Sequence, residues 1–125
     1  MAKSVFLVMS NPTPGKEAEY NEWYDKVHLA DVLNVPGFVA AQRFRLGDTQ
    51  FGDGTRPHRY LAIYEVDTND MAGCLKELSA RVGTDDMVIS DGIDMQNLGT
   101  FIFGAIGDKM LASNVRRPQR SAAAR

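Results

Sequence analysis

The residues best suited to chemistry lie in the segment from Glu17 to Gly37, which puts a histidine beside aromatic and acidic side chains. Read as a helix, this segment places Tyr24 one turn before His28, and Asp31 one turn after it, on the same side. A carboxylate can fix the tautomer of an imidazole, and a phenol can donate or relay a proton. The spacing therefore favours an acid/base site in which His28 is the general acid and base, Tyr24 is the donor and Asp31 orients the imidazole.

A structural role would use the same side chains. The helix of a small α+β domain must bury aromatic residues such as Tyr24, and a histidine at its edge is commonly a packed structural residue. Asp31 can equally be a solvated carboxylate. Trp23 points about 100° away from its neighbour Tyr24 on a helix, so it is interpreted as a structural residue or a pocket wall.

Two predicted strands add candidates for substrate binding. Arg43 lies on a strand face where it can bind a substrate carboxylate or phenolate, or pair with an acid such as Glu65; the ion pair is the preferred interpretation. Tyr64 lies in the middle of the next strand and is a candidate for the pocket. Phe44 most simply packs a core or a dimer interface, but it could also line an apolar pocket.

The composition excludes several classes of function. A net charge of −2 over 125 residues gives no electrostatic case for binding nucleic acid or an anionic membrane. The single cysteine, Cys74, excludes an intramolecular disulfide and a zinc site of several thiolates. The two histidines, His28 and His58, leave little for a metal site, and His58 is expected to be exposed at the end of a loop. We therefore expect no metal and no cofactor.

Near the N-terminus, an apolar run is too short for the hydrophobic region of a signal peptide and far too short to span a bilayer. This predicts a cytoplasmic protein. The chain is long enough for one domain with a real core, which we place at residues 1–107. Residues 108–125 form a basic tail, interpreted as mobile or laid over a partner subunit.

Four strands and two helices must position these side chains. The strands are predicted over 4–10, 38–46, 58–67 and 98–106, and the helices over 17 to the residue before Pro36 and over 70–81. Residues 47–57 form a long glycine-rich hairpin loop. Residues 83–96 resist assignment, with a short helical turn possible over 85–89. The order βαββαβ predicts an α+β, ferredoxin-like antiparallel sheet with both helices on one face.

The faces of the strands predict a partner. Alternation puts Phe38, Gln42 and Phe44 on one face of the second strand, and Arg43 and Arg45 on the other. The first and last strands are apolar on both faces, whereas a half-solvated sheet alternates apolar and polar residues. Because the helices can cover only one face, we expect a second copy to cover the other in a homodimer.

A longer motif carries a family resemblance. The motif Asn-x-Trp-Tyr-Asp-x-x-His-Leu-x-Asp-Val-Leu-x-Val-Pro-Gly-Phe spans Asn21 to Phe38, and Ala41-Gln-Arg-Phe-Arg45 follows it. Together they resemble the first helix and second strand of the dimeric α+β barrel superfamily, and most closely its EthD-like members, over residues 3–106. The resemblance implies a dimer with a ligand cleft between the helices and the concave sheet. It also implies that a Tyr-x-x-x-His pair, here Tyr24 and His28, lines that cleft.

The superfamily hosts many reactions, so the resemblance leaves the chemistry open. The first hypothesis is a cofactor-independent lyase, isomerase or cyclase of catabolic or secondary metabolism, acting on an aromatic or carbonyl-containing substrate. His28 is its base and acid, and Tyr24 or an arginine stabilises the oxyanion. The alternatives are a cofactor-independent monooxygenase of a phenolic substrate and a non-catalytic protein that binds a hydrophobic metabolite. Substrate-binding residues are predicted to be Trp23, Arg43, Phe44 and Tyr64.

Overall fold

A computed structural model describes residues 3–116 of the chain, and its centre is one antiparallel sheet of four strands in the order β2-β3-β1-β4. The strands are β1 (Lys3–Ser10), β2 (Phe38–Arg45), β3 (Tyr60–Asp67) and β4 (Gly99–Gly104). Helices connect β1 to β2 and β3 to β4, and a long loop connects β2 to β3. The predicted ferredoxin-like βαββαβ order is confirmed.

The first helical region changes its hydrogen bonding halfway along. It consists of α1 (Glu17–Trp23), a π-helical turn (Tyr24–His28) and α2 (Leu29–Leu33), without a break in helical backbone angles. Within the turn, the backbone N–H of Leu29 donates to the carbonyl of Tyr24, five residues back. The prediction of one helix is confirmed in extent, but the π-helical turn was not predicted. Such turns inside α-helices are rare and often lie at functional sites.

The second helix, α3 (Met71–Arg81), begins with an N-cap. The side chain of Asp70 accepts a hydrogen bond from the backbone N–H of Gly73, which satisfies one of the free donors of the first turn. The helical turn considered over 85–89 does not form, since residues 82–94 are turns and a bend-rich loop. A short 3₁₀ helix, Met95–Asn97, precedes β4.

A β-bulge at Val39 corrects the predicted faces of β2. Phe38 is opposite Val66, and the next paired residue, Ala40, is opposite Glu65, so Val39 is extra. The extra residue moves Phe38 to the face that carries Ala41 and Arg43. Phe38 is therefore buried on the helix side of the sheet, and the prediction that it shares a face with Gln42 and Phe44 is wrong.

The two faces of the sheet have different environments. On the helix side, alternate residues of β3 (Tyr60, Ala62, Tyr64 and Val66) are all buried in the core. On the other side, β4 carries Phe101 and Phe103, which are 48% and 57% exposed beside Leu7 and Val5 of β1. Nothing in residues 3–116 covers this apolar surface, as expected from the sequence of the two strands.

Part of the predicted basic tail can be described. Residues 108–116 are exposed and include the 3₁₀ helix Ala112–Asn114, whereas residues 117–125 lie outside the described residues. Across residues 3–116, every helix is too short or too polar to cross a membrane.

Candidate functional site

A cluster of four tyrosines lies between the first helical region and the sheet. Tyr20 and Tyr24 come from the helical region, Tyr60 and Tyr64 come from β3, and none of the four is more than 7% exposed. The rings of Tyr20 and Tyr24 meet edge to face with their centres 5.4 Å apart, and Tyr20 lies 5.1 Å from Tyr60. We call these four residues the tyrosine cluster. The structure thus brings two of the predicted site residues, Tyr24 and Tyr64, into one buried cluster.

Three side-chain hydrogen bonds hold two of the four tyrosines, Tyr20 and Tyr60, in place. The hydroxyls of Ser10 and Tyr20 lie 2.6 Å apart and are both buried. The amide of Asn21 donates to the Tyr60 hydroxyl, which in turn donates to the carboxylate of Glu17. That last hydrogen bond holds the pKa of Glu17 below its usual value.

His28 ends the π-helical turn and packs against two aromatic rings. Its imidazole is stacked on the indole of Trp23 with ring centres 4.5 Å apart, and it meets Tyr24 edge to face at 5.3 Å. Trp23 is itself fixed, because its Nε1 donates to the carbonyl of Val88 at 3.0 Å. A π-helical turn brings residues five apart onto one side, which explains why Trp23 and His28 meet. Trp23 is thus both a structural residue and a wall beside His28.

Burial controls the charge of His28. Its Nδ1 is buried without a hydrogen-bond partner among the described residues. Burial disfavours the charged imidazolium and lowers the pKa of His28 from 6.5 to about 4. The ring is therefore neutral near pH 7, so it can accept a proton.

The predicted role of Asp31 as the orienting carboxylate is not supported by the geometry. No hydrogen bond or ion pair within residues 3–116 joins Asp31 to the His28 ring, and Nδ1 is unpaired. Helical side chains lean toward the N-terminus, and the imidazole leans onto Trp23 and Tyr24 rather than toward the following turn. These two aromatic rings, not Asp31, hold His28 in position.

The two innermost tyrosines are phenols over the physiological range. Burial raises the pKa of Tyr24 to about 12. Burial also raises the pKa of Tyr64, and the neighbouring Tyr24 raises it further. Both hydroxyls keep their protons near neutral pH and can donate hydrogen bonds.

The side chains of Arg43 and Phe44, which are neighbours on β2, point to opposite faces of the sheet. Arg43 reaches into the tyrosine cluster and pairs with Asp25 at 2.7 Å, so the predicted ion pair forms with a different acid. The suggested partner Glu65 lies on the opposite face, across from Val5. Phe44 is also on that face and is 41% exposed, so within one chain it cannot share a pocket with the tyrosine cluster.

Reasoning from sequence missed Ser10, Tyr20 and Tyr60 as members of the site. Two features of the sequence pointed to Tyr20 and Ser10. Tyr20 precedes Tyr24 by one helical turn, and Ser10 is a polar residue at the end of an apolar strand. The pairing of Ser10 with Tyr60 across β1 and β3 depends on a register that the sequence alone does not give.

Buried polar side-chain atoms without hydrogen-bond partners lie around Tyr24. Four buried side-chain atoms of the described residues lack a hydrogen bond, and three of them belong to neighbours of Tyr24: Nδ1 of His28, Nε of Arg43 and the hydroxyl of Tyr64. Leaving a polar group buried and unpaired costs roughly 1–3 kcal/mol. Their concentration around one side chain makes this the candidate site.

The tyrosine cluster is closed in the free chain. Of two surface cavities, one of about 590 Å³ lies at the start of α3, and one of about 520 Å³ lies on the open face of the sheet. Neither cavity is lined by the tyrosine cluster or by His28. The tyrosine rings are thus closed to a ligand in this packing, whereas His28, at the edge of the cluster, is partly exposed.

Comparison with known proteins identifies the fold. No protein-family model matches the chain, and no curated protein matches it. The haem-degrading protein MhuD from Mycobacterium tuberculosis, described with two haems bound in its active site, has a similar structure with a TM-score of 0.57. The two chains are 15% identical, and the similarity covers 86% of this chain and 99% of MhuD. This chain therefore shares its α+β fold with MhuD.

That fold is the one that the motif from Asn21 to Phe38 implied, so the expectation about the fold is confirmed. An identity of 15% to MhuD establishes a shared fold and no shared reaction. An EthD family protein from Bacillus halodurans is also similar, with 14% identity, a TM-score of 0.46, and coverage of 88% of this chain and 100% of that one.

Proposed function

We propose that this chain is a small-molecule enzyme that moves a proton next to a carbonyl group, with His28 as the base and Tyr24 as a hydrogen-bond donor. The observation that carries the proposal is the group of unpaired buried polar atoms around Tyr24. Unpaired buried polar atoms destabilise a fold, whereas a site that binds a carbonyl substrate needs polar atoms that are free to pair with it.

The proposed reaction uses the protonation states described above. Neutral His28 takes a proton from the carbon next to the carbonyl, while the Tyr24 hydroxyl donates a hydrogen bond to the carbonyl oxygen as it gains negative charge. The C–H electron pair moves into the new enolate. The imidazolium then returns the proton to another carbon, as in an isomerase, or to a leaving group, as in a lyase.

The low pKa of His28 has two consequences for this cycle. A base with a pKa of about 4 is weak in the free enzyme, so it needs the developing enolate charge nearby to stabilise the imidazolium. The same property makes the imidazolium a strong acid, which favours return of the proton. Walls of Trp23 and the tyrosine cluster suit an aromatic or otherwise flat substrate.

We also propose that the chain acts as a homodimer through the open face of the sheet. Phe44, Phe101 and Phe103 are each at least 41% exposed there, and Val39 is 60% exposed. A second copy of the same apolar face is the partner that such a surface fits. The resemblance of the motif from Asn21 to Phe38 to the dimeric α+β barrel superfamily also supports this arrangement.

The similarity to a haem-degrading protein raises haem chemistry as an alternative, which the residues of this chain do not favour. A haem iron requires an axial ligand such as imidazole. Here the His28 ring is packed against Trp23 and Tyr24 with Nδ1 buried, and Nε2 of His58 lies 2.7 Å from the Asn97 carbonyl. Neither histidine lines either of the two cavities. We derive no step through haem.

A panel of aromatic and 1,3-dicarbonyl compounds tests the proposal, with binding and turnover measured for wild type, His28→Ala and Tyr24→Phe. His28→Ala should keep binding and lose two to four powers of ten in turnover, and Tyr24→Phe should lose turnover with a smaller change in binding. His58→Ala is the matched control and should behave as wild type. Equal turnover in wild type and His28→Ala would overturn the proposal. Oxygen consumption during turnover would replace it with the monooxygenase, and saturable binding without product would replace it with the binding protein.

A further inference from the structure

Among residues 3–116, Arg43 is the charged side chain that lies over three rings of the tyrosine cluster. Its side chain is only 11% exposed, although it lies on a strand at the edge of the sheet. One terminal nitrogen donates to Asp25 at 2.7 Å, the other donates to Asn21 at 2.8 Å, and Nε is buried without a partner. The guanidinium is therefore fixed in one orientation by two residues of the first helical region.

Tyrosine rings surround this fixed charge. The guanidinium carbon lies 4.4 Å from the centre of the Tyr24 ring, and 5.3 Å from the centres of both Tyr20 and Tyr60. A guanidinium over an aromatic face is attracted to the ring, and the attraction grows as water is excluded. Arg43 thus fixes the ring of Tyr24 and places a positive charge beside it.

This geometry does not suit the predicted role of Arg43 in binding a substrate anion. Each terminal nitrogen already donates one hydrogen bond, to Asp25 or to Asn21. The guanidinium is only 11% exposed and packs against three tyrosine rings, which leaves little room for a substrate carboxylate beside its remaining N–H donors. The positive charge of Arg43 instead acts on the tyrosine rings that surround it.

We propose that Arg43 is a positioning residue that holds the Tyr24 ring and makes its hydroxyl a stronger proton donor. The electrostatic effect of Arg43 has the direction that this role requires. Its positive charge lowers the pKa of Tyr24, against the larger effect of burial, which raises that pKa. The counter-charge, Asp25, is 59% exposed, so water screens it in part and it offsets Arg43 only partly. The other polar or titratable groups around Tyr24 are Ser10, Tyr20, Tyr64 and His28. The catalytic meaning of this inference rests on the proposed function.

The test is to titrate the phenol at position 24 directly. A fluorinated tyrosine incorporated at that position has a lower pKa, which brings the titration into a range where the chain stays folded, and ¹⁹F NMR reports its ionisation. Arg43→Gln should move this titration upward by about one pH unit or more. Arg43→Lys keeps a positive charge and should move it less. Arg45→Gln removes a neighbouring exposed arginine of the same strand and is the matched control.

Asp25→Asn provides an independent arm if Arg43→Gln does not fold. It changes an exposed side chain, removes the negative charge that partly offsets Arg43, and should move the titration downward. An unchanged titration in both Arg43→Gln and Asp25→Asn would overturn the inference, as would equal shifts for Arg43→Gln and Arg45→Gln. The measurement needs no substrate, so its failure is distinct from a failure of the turnover assay.

Discussion

Trp23 and His28 stack with their ring planes 23° apart, although they are five positions apart in the sequence. In an uninterrupted α-helix, residues five apart point well away from each other, because each residue turns by about 100°. The π-helical turn from Tyr24 to His28 has more residues per turn, so it brings the side chains of Trp23 and His28 onto the same side of the helix. This turn, rather than the Tyr-x-x-x-His spacing alone, determines how His28 is buried and which rings contact it.

The stability of the chain should depend on pH through His28. The unfolded chain binds a proton at His28 below pH 6.5, whereas the folded chain does so only below about pH 4. Between these values the unfolded state holds more protons, so the free energy of unfolding should fall as the pH falls, by up to about 3 kcal/mol. Urea unfolding at intervals from pH 7 to pH 4 measures this loss.

Two variants show whether His28 is the source of that dependence. His28→Gln should remove most of the slope between pH 6.5 and pH 4, while His58→Gln should keep it. A slope that survives in His28→Gln would mean that other groups cause it and that the imidazole is not buried as described.

The hydrogen bond between Ser10 and Tyr20 should be an important local contribution to stability. Ser10→Ala leaves the buried Tyr20 hydroxyl without this partner and should cost about 1–3 kcal/mol. Tyr20→Phe should cost a similar amount for the same reason. The double variant should cost less than the sum of the two, because it removes both polar groups. Simple additivity in urea unfolding would show that the two hydroxyls are not coupled.

The open face of the sheet should be the dimer interface. Phe103→Asp puts a charge into that apolar face and should convert a dimer to a folded monomer in sedimentation equilibrium. Phe51→Asp changes a fully exposed phenylalanine in the loop between β2 and β3, and should leave the dimer intact. A monomeric wild type at all accessible concentrations, or a Phe103→Asp variant that remains dimeric, would contradict the proposed interface.

The sequence predicts the architecture well because its strongest signals are local. Alternation located β1, β3 and β4 to within two residues at each end, and helical spacing placed Tyr24 and His28 on the side facing the sheet. The apolar character of β1 and β4 on both faces also predicted the uncovered surface that carries Phe101 and Phe103.

Two of the errors have one cause, which is an extra residue that breaks a regular period. A bulge at Val39 moved Phe38 across the sheet, and a π-helical turn changed the contacts of His28. Neither irregularity has a signature in residue types. The ion pair of Arg43 with Asp25 likewise depends on how the helix crosses β2, which is a tertiary property. Sequence therefore located the elements that carry the candidate site better than the contacts within it.

Proton transfer by His28 can be measured without knowing the natural reaction. Carbonyl compounds that bind the wild-type chain are incubated with it in heavy water, and NMR follows exchange of hydrogen for deuterium at the carbon next to the carbonyl. We expect saturable exchange in wild type, and a rate two to four powers of ten lower in His28→Ala with binding retained. Equal exchange in the two proteins, or no exchange of any compound that binds, would contradict the role of His28 as the base.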